Sequence, residues 1–499
     1  MSLFSRSFLK DLLLTYSAEI TALIAAIVIP GFVARLVGMQ QLGIYLLLRR
    51  VVAAGVHPLT LGFAVALARF LPQDGRLLGV RIRWSLLAIL GATLFTSGLL
   101  LLAMKWRFAL ARLLFGREEL AGFVKPLAIL LLANVLHVVL YGHYRGMMQM
   151  RMANCMQILN SGVVPFLALL RLKTGGVEQT VYLTGVFMLL VNCLFVLPLL
   201  RVFLQTFRET GSGWFLNAAR NLFGYGIGRV PTAALTGVLF SIAPVQLAHK
   251  ASLSAVGLFV MGLNFLRLGE AAIGPLGVLI LPRVAATRSH KSLPQMMNDV
   301  QLLLGATITI GLFGCGHAAV LSDLLLGLWL GDSSPQRWKL FVPLIIALPF
   351  YMTHELLRHT IDAASAIPYN SMALSLSVAI LLMGVFSGNI ARLVFFQVFA
   401  FLVLGLLTTI LWLRIYRVRL TCLKYFLNPI IFSFLSVGWT WALRRQFQGG
   451  LATLALNECL LFATLLFWLW ACCKQGRLIF TSQVHTLREG VVPGLENVL

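Results

Sequence analysis

The stretch LLLRRVVAA, residues 46–54, sets two adjacent arginines, Arg49 and Arg50, inside a run of apolar residues. It belongs to an apolar segment from Leu42 to Phe70, long enough to cross a bilayer. An arginine at mid-bilayer costs about 2.5–3.5 kcal/mol even on the lenient insertion scale, so a pair needs a reason. The chemistry that supplies one is an anion held between helices.

The rest of the chain fits that setting. It has 499 residues, 59% hydrophobic and only 11% charged, whereas a soluble chain has about a quarter of its residues charged. Apolar runs recur, and the sequence predicts an all-α polytopic membrane protein of about 14 transmembrane helices. The spans are expected to begin near Leu12, Leu42, Trp84, Ala121, Met152, Val181, Phe215, Ala251, Val300, Leu340, Pro368, Ala391, Tyr425 and Leu451. The segments holding Arg49–Arg50 and Glu270 are the least hydrophobic and the easiest for a hydropathy window to miss. The longest polar segment follows Lys474.

Lysine and arginine total 40 against 16 acids, a net charge of +24. In a soluble protein this would indicate nucleic acid. Here basic loops beside anionic headgroups account for most of it, and no nucleic-acid partner is expected. The loop bias favours cytoplasmic N- and C-termini in a bacterial inner membrane. Within the loop from Lys105 to Lys125, WRFALARLLFGR reads as an amphipathic helix on the outer interface. MSLFSRSFLKD leads directly into the first span, without a cleavage site, so that span is expected to stay. Seven scattered cysteines form no disulfide framework and no metal-ligand spacing.

A shift of 210 residues aligns Lys10 with Arg220, Glu19 with Arg229 and Pro72 with Pro282; Gly43 meets Gly257 after a gap of four. Six spans separate the copies, so both run in the same direction. The expectation is two six-helix lobes, residues 1–210 and 211–420, related by a pseudo-twofold along the membrane normal. Helices 13 and 14 (421–474) and a cytoplasmic tail (475–499) follow.

The ionisable residues expected at membrane depth are Glu19, Arg49, Arg50, His57, His137, Arg229, Arg267, Glu270, His317, His354, Glu355, Arg358, His359 and Asp362. Glu19 with Arg229 can be read as an ion pair between the lobes, and Arg267 with Glu270 as an i,i+3 pair within one helix. That reading fails for Arg49–Arg50, which have no acid within a helical turn. Neighbouring residues point about 100° apart on a helix, so one of the two faces a cavity. Guanidinium forks match phosphate oxygens, which makes phosphate or pyrophosphate the natural guest. HELLRHTID, from His354 to Asp362, spaces its histidines at i,i+5 rather than the i,i+4 of a zinc protease, which excludes that chemistry. The cluster is either a solvated gate or a proton-coupling element. His57, His137 and His317 read as hydrogen-bonded packing residues. Gly224–Gly228 reads as small-residue packing or a bend. Prolines 30, 58, 165, 231, 275 and 349 suit kinked transporter helices. No Walker loop, dinucleotide fingerprint, CxxC or serine triad is present.

ARLVGMQQLGIYLLLRRVVAAGVHPLTLGFAVALARFLP resembles the opening of Wzx-type polysaccharide flippases through Arg35, Gly38, Gly43, Tyr45, Gly62, Ala66 and Arg69. Leu47-Leu48-Arg49-Arg50 with Ala53 and Gly55 also resembles the second helix of lipid II flippases, and Arg267-Leu-Gly-Glu270 followed by Leu281-Pro282 resembles their eighth. The interval from Glu270 to Pro282 is shorter than that family's pattern. Both families belong to the MOP superfamily, together with multidrug and toxin extruders. The resemblance implies two six-helix lobes around a cationic cavity, alternating access, and a polyprenyl-pyrophosphate-linked oligosaccharide as cargo. Substrate contacts would fall to Arg49, Arg50, Arg267, Arg229 and Arg35; coupling or gating would fall to Glu19, Glu270, His354, Glu355, Arg358 and Asp362. No cofactor or metal is expected. A proton or sodium gradient, or the membrane potential, would drive the cycle. Partners would be the lipid-linked glycan, membrane lipids, and a glycan polymerase or glycosyltransferases. The competing readings are a lipid II flippase, a cation-coupled multidrug extruder, a membrane-embedded glycosyltransferase or ligase, and a non-transporting scaffold. The extruder would favour acids in its cavity, and the transferase long outer loops with catalytic acids.

Overall fold

A computed structural model describes residues 6–73, 78–206, 214–228, 230–287, 293–331, 337–364, 368–418, 422–446 and 451–489. In chain order the helices are α1 (Arg6–Val37), α2 (Met39–Leu59), α3 (Phe63–Gln73), α4 (Leu78–Lys105), α5 (Arg107–Phe115), α6 (Val124–Gly146) and α7 (Met150–Ile158). After a π-turn at Leu159–Val163 come α8 (Val164–Leu169), α9 (Leu172–Thr206), α10 (Trp214–Ile227), α11 (Val230–Lys250) and α12 (Leu253–Thr287). The chain continues through α13 (Leu293–Val320), α14 (Ser322–Leu330), α15 (Arg337–Leu340), α16 (Val342–Ile346), α17 (Leu348–Ala364) and α18 (Tyr369–Phe386). It closes with α19 (Ile390–Tyr416), α20 (Leu427–Gln446) and α21 (Leu451–Glu489). Among the described residues 13 helical segments are long and apolar enough to cross a membrane, which bears out the all-α polytopic class.

Thirteen of the expected spans are present; the exception is the tenth, near Leu340. There the chain breaks into α15, α16 and a 17-residue α17. The polar run His354–Asp362 dilutes its apolar content. The segments with Arg49–Arg50 and Glu270, expected to be the weakest, both qualify as spans, Met39–Leu59 and Leu253–Gly274. The segment from Leu42 to Phe70 is two helices rather than one. Leu61 and Gly62 adopt positive φ between α2 and α3, and a side chain at Gly62 would collide with the backbone of Gly226. Gly226 thus serves the packing expected of the 224–228 glycines, at the end of α10. Pro231 and Pro349 stand in first turns, where the missing N–H costs nothing, so they start helices, whereas Pro165 follows the π-turn inside the continuous span Met150–Leu169. The polar tail expected after 474 continues α21 to Glu489. The loop from Lys105 does form a short helix, α5, capped by Gly116 in the left-handed region. Its Trp106, Phe108 and Leu113 are exposed while Ala111 and Phe115 are buried.

Helix packing divides the chain into two compact units. The first comprises Met1–Met261, Leu326–Gln336 and Val378–Leu393; the second comprises Gly262–Leu325, Arg337–Ser377 and Val394–Leu499. The lobes read from the repeat are a statement of symmetry and stay an expectation.

In the first unit a core of Phe63, Leu67, Trp84, Leu140, Tyr144 and Met156 joins α3, α4, α6 and α7. Lipid tails are as apolar as leucine, so close van der Waals packing holds such helices together rather than burial from water. α2 and α11 show this: a Cβ at Gly237 would lie 2.8 Å from the Ala54 Cα. Gly237→Val should force the pair apart and cost about 1–3 kcal/mol, read as a lower thermal midpoint in detergent. Gly224→Ala, with nothing within 4 Å of its new carbon, should leave the midpoint unchanged or raised. Gly43 and Gly257, aligned in the sequence repeat, pack against one another on α2 and α12.

In the second unit α13 is the hub. Gly305 and Gly316, three turns apart on one face, abut Phe426 and Val437, and Gly311 abuts Pro349 of α17. Leu302, Phe313, Phe426, Leu465 and Leu469 form the core that carries α20 and α21.

Candidate functional site

In the first unit the arginine pair lies on α2, and consecutive positions separate the two side chains as helical geometry requires. Arg50 is 4% exposed, its guanidinium 5.4 Å from the centre of the Phe240 ring on α11. Ser241, next along α11, donates to the Arg50 carbonyl at 3.0 Å. Arg49 is exposed and donates through Nη1 to the Tyr45 hydroxyl, 3.1 Å away and one turn back. Among the described residues Arg49 makes no ion pair; its partner is a neutral phenol. A guanidinium so placed keeps most of its donors for a guest. Arg35, in the last turn of α1, instead donates to the main-chain carbonyl of Leu328 near the end of α14. There it satisfies a terminal carbonyl and the helix dipole.

Glu19 is half-buried on α1, within electrostatic reach of Tyr141 on α6. Its expected partner Arg229 lies outside the described residues. Nearby, His137 is a packing histidine, as the sequence reading expected. Its Nε2 faces Gln157 Oε1 and its Nδ1 faces Asn160 Nδ2, both at 2.9 Å. Asn160 also donates to Asn192, and Asn192 to the Ala133 carbonyl. Asn160 occupies the π-turn, whose wider winding carries the amide into this network. Amide side chains give no charge signal, so sequence reading passed over Gln157, Asn160 and Asn192.

The second unit brings together two groups that the sequence reading kept apart. Arg267 Nε and Glu270 Oε2, on α12, are 3.9 Å apart. The Tyr351 hydroxyl on α17 donates to the same Glu270 oxygen at 3.0 Å and lies within hydrogen-bonding reach of Glu355. Glu355, 1% exposed, is ion-paired with Arg358, its Oε2 2.9 Å from the Arg358 Nη2. Arg358 is in electrostatic reach of Glu270 and Asp362 as well. Arg267, Glu270, Glu355 and Arg358 therefore form one chain, with Tyr351 as its joint and Asp362 a third carboxylate within reach. Tyrosine reads as an apolar packing residue in sequence, and only the α12–α17 contact reveals its role. His354 turns away to α19, where its Nδ1 is 2.9 Å from Thr408 Oγ1. Thr408 spends its proton on the Leu404 carbonyl, so the imidazole must donate from Nδ1.

An apolar cleft of about 680 Å³ opens between α1 and α8, lined by Phe32, Leu36, Val163, Phe166 and Leu170, with Lys173 as its cation. The described residues contain no group of three or more metal-ligating side chains.

No protein-family model matches the chain, and no curated protein matches its sequence. Solved structures do match its fold. The lipid II flippase MurJ, in an inward closed conformation, superposes with a TM-score of 0.64 over 96% of this chain and 99% of that one, at 12% identity. An inward-facing multidrug resistance MATE family transporter of the MOP superfamily gives 0.60 over 82% and 95%, at 14% identity. A MOP superfamily transporter from Pyrococcus furiosus, described as having a binding pocket of reversed polarity, gives 0.56 over 83% and 96%, also at 14% identity. At such identities the likeness establishes the fold, that of MOP-superfamily transporters, and not the cargo.

Proposed function

We propose that this protein is a flippase for a polyprenyl-pyrophosphate-linked oligosaccharide, and that its arginine pair recognises the pyrophosphate. Arg49 carries the reading: an exposed guanidinium in a membrane-spanning helix, with a neutral phenol as its partner. A charge at that depth with no acid beside it is stabilised by an anionic guest. Its planar fork offers paired donors to phosphate oxygens. Arg50 supports α2 through Phe240 and adds positive potential. The likeness to a lipid II flippase supports cargo of the same headgroup class.

The α12–α17 chain serves release. Such an ion-pair network can rearrange when one carboxylate takes up a proton or an arginine changes partner. Glu270, shared between Arg267 and Tyr351, is a residue at which such an exchange can occur. The cleft beside Lys173 offers a place for part of a hydrocarbon tail.

Reconstitution into vesicles tests the reading. A fluorescent polyprenyl-pyrophosphate disaccharide in the bilayer should become accessible to an external quencher only when the protein is present. A lipophilic cationic dye should not be moved. Transport of the dye without movement of the lipid would establish the extruder instead. Equal activity on lipid II and on an unrelated glycan would place recognition in the pyrophosphate rather than the sugar.

A further inference from the structure

His317 on α13 faces acceptors with both ring nitrogens. Its Nε2 is 3.0 Å from Ser436 Oγ on α20, and Ser436 has already donated its proton to the Ser433 carbonyl at 2.9 Å. With the serine proton on that carbonyl, the serine accepts and Nε2 carries a hydrogen. On the opposite side Nδ1 is 2.6 Å from Glu458 Oε2 on α21. The other oxygen of Glu458 accepts from Thr440 Oγ1 at 2.8 Å and from Asn457 at 3.4 Å. A neutral imidazole protonated at Nε2 would point its Nδ1 lone pair at a carboxylate. At 2.6 Å that contact is repulsive, so a second proton belongs between the two groups.

We infer that His317 and Glu458 form a proton-binding site that ties α21 to α13. The surroundings favour a cation on the imidazole: the Phe313 ring stacks on it with centres 4.0 Å apart. The histidine is 6% exposed and the glutamate 22%, which leaves a path for the proton on the glutamate side. Other charges near this end are Arg444, paired with Asp323 of α14, and Arg445, whose guanidinium lies 4.0 Å from the Trp441 ring centre. α16 has no ionisable residue, and the part of α17 against α13 is its uncharged start at Leu348 and Pro349. The site thus reduces to one histidine, one carboxylate and one shared proton.

Glu458→Gln separates this inference from a merely structural pair. The amide can donate to Nδ1 while Nε2 still donates to Ser436, reproducing the bonding of the protonated site without any proton to lose. A proton held by the folded protein and released by the unfolded chain stabilises at low pH, and that stability is lost as pH rises. In detergent the thermal midpoint of the wild-type chain should fall relative to Glu458→Gln by about 2–4 °C between pH 6 and pH 9. Glu458→Ala should be destabilised throughout. Carbon-13 histidine spectra should assign one imidazolium signal to His317 at neutral pH, absent in His317→Asn. Parallel midpoints for wild type and Glu458→Gln across the range would overturn the inference, as would a Glu458→Gln protein no more stable than Glu458→Ala.

Discussion

Arg49→Ala is expected to reduce flipping of a polyprenyl-pyrophosphate glycan by at least about tenfold while leaving the amount of protein in the membrane unchanged. The guanidinium is exposed and its contacts among the described residues are with the Tyr45 hydroxyl and ring, so its loss removes little packing. On the proposed function it removes a charge-assisted contact with the cargo, worth about 1.5–3 kcal/mol, which corresponds to roughly 10- to 150-fold in rate or affinity. Arg49→Lys should fall between, because it keeps the charge and loses the paired donors. Arg50→Ala is a less discriminating variant: its side chain packs under Phe240, so stability and transport fall together. Quencher accessibility in proteoliposomes, with membrane content measured in parallel, decides the matter. A rate within twofold of wild type for Arg49→Ala would remove the pyrophosphate reading.

The second large effect concerns stability. Arg358→Met leaves the Glu355 carboxylate, 1% exposed, without its closest cation. Removing one member of a buried pair costs about 3–5 kcal/mol, because the charge left behind stays unsolvated. A marked loss of thermal midpoint and of folded protein after detergent extraction is expected. Glu355→Gln/Arg358→Met removes both charges and should recover most of the loss, since a pair replaced by neutral groups of similar volume is close to neutral in free energy. A double variant as unstable as Arg358→Met would mean that the two residues act independently, against the geometry. The comparison also separates roles: a double variant that folds well and no longer flips would make the pair part of the transport cycle.

The site residues differ in how far sequence alone could place them. The arginine pair was evident because no acid lies within a turn of either residue along the chain, and local sequence is enough to establish that. The i,i+3 pairing of Arg267 with Glu270 was evident for the same reason, and it persists in the fold. Tyr351 was not, because its value lies in joining Glu270 on α12 to Glu355 on α17, 85 positions apart in the chain. Glu458 escaped notice in a different way. Near the start of a long apolar helix it reads as a residue at the membrane surface, until α13 presents His317 to it.

Composition and the spacing of apolar residues by themselves determined the class of this protein, the positions of thirteen spans and the arginine anomaly, because each is a property of a helix and the lipid around it. Tertiary structure alone decided where α2 ends and which charges meet. Those outcomes depend on atoms brought together from distant parts of the chain: Gly226 against Gly62, Tyr351 between two carboxylates, His317 against Glu458. A buried charge announces in sequence that it needs a partner, but only packing determines which partner it gets.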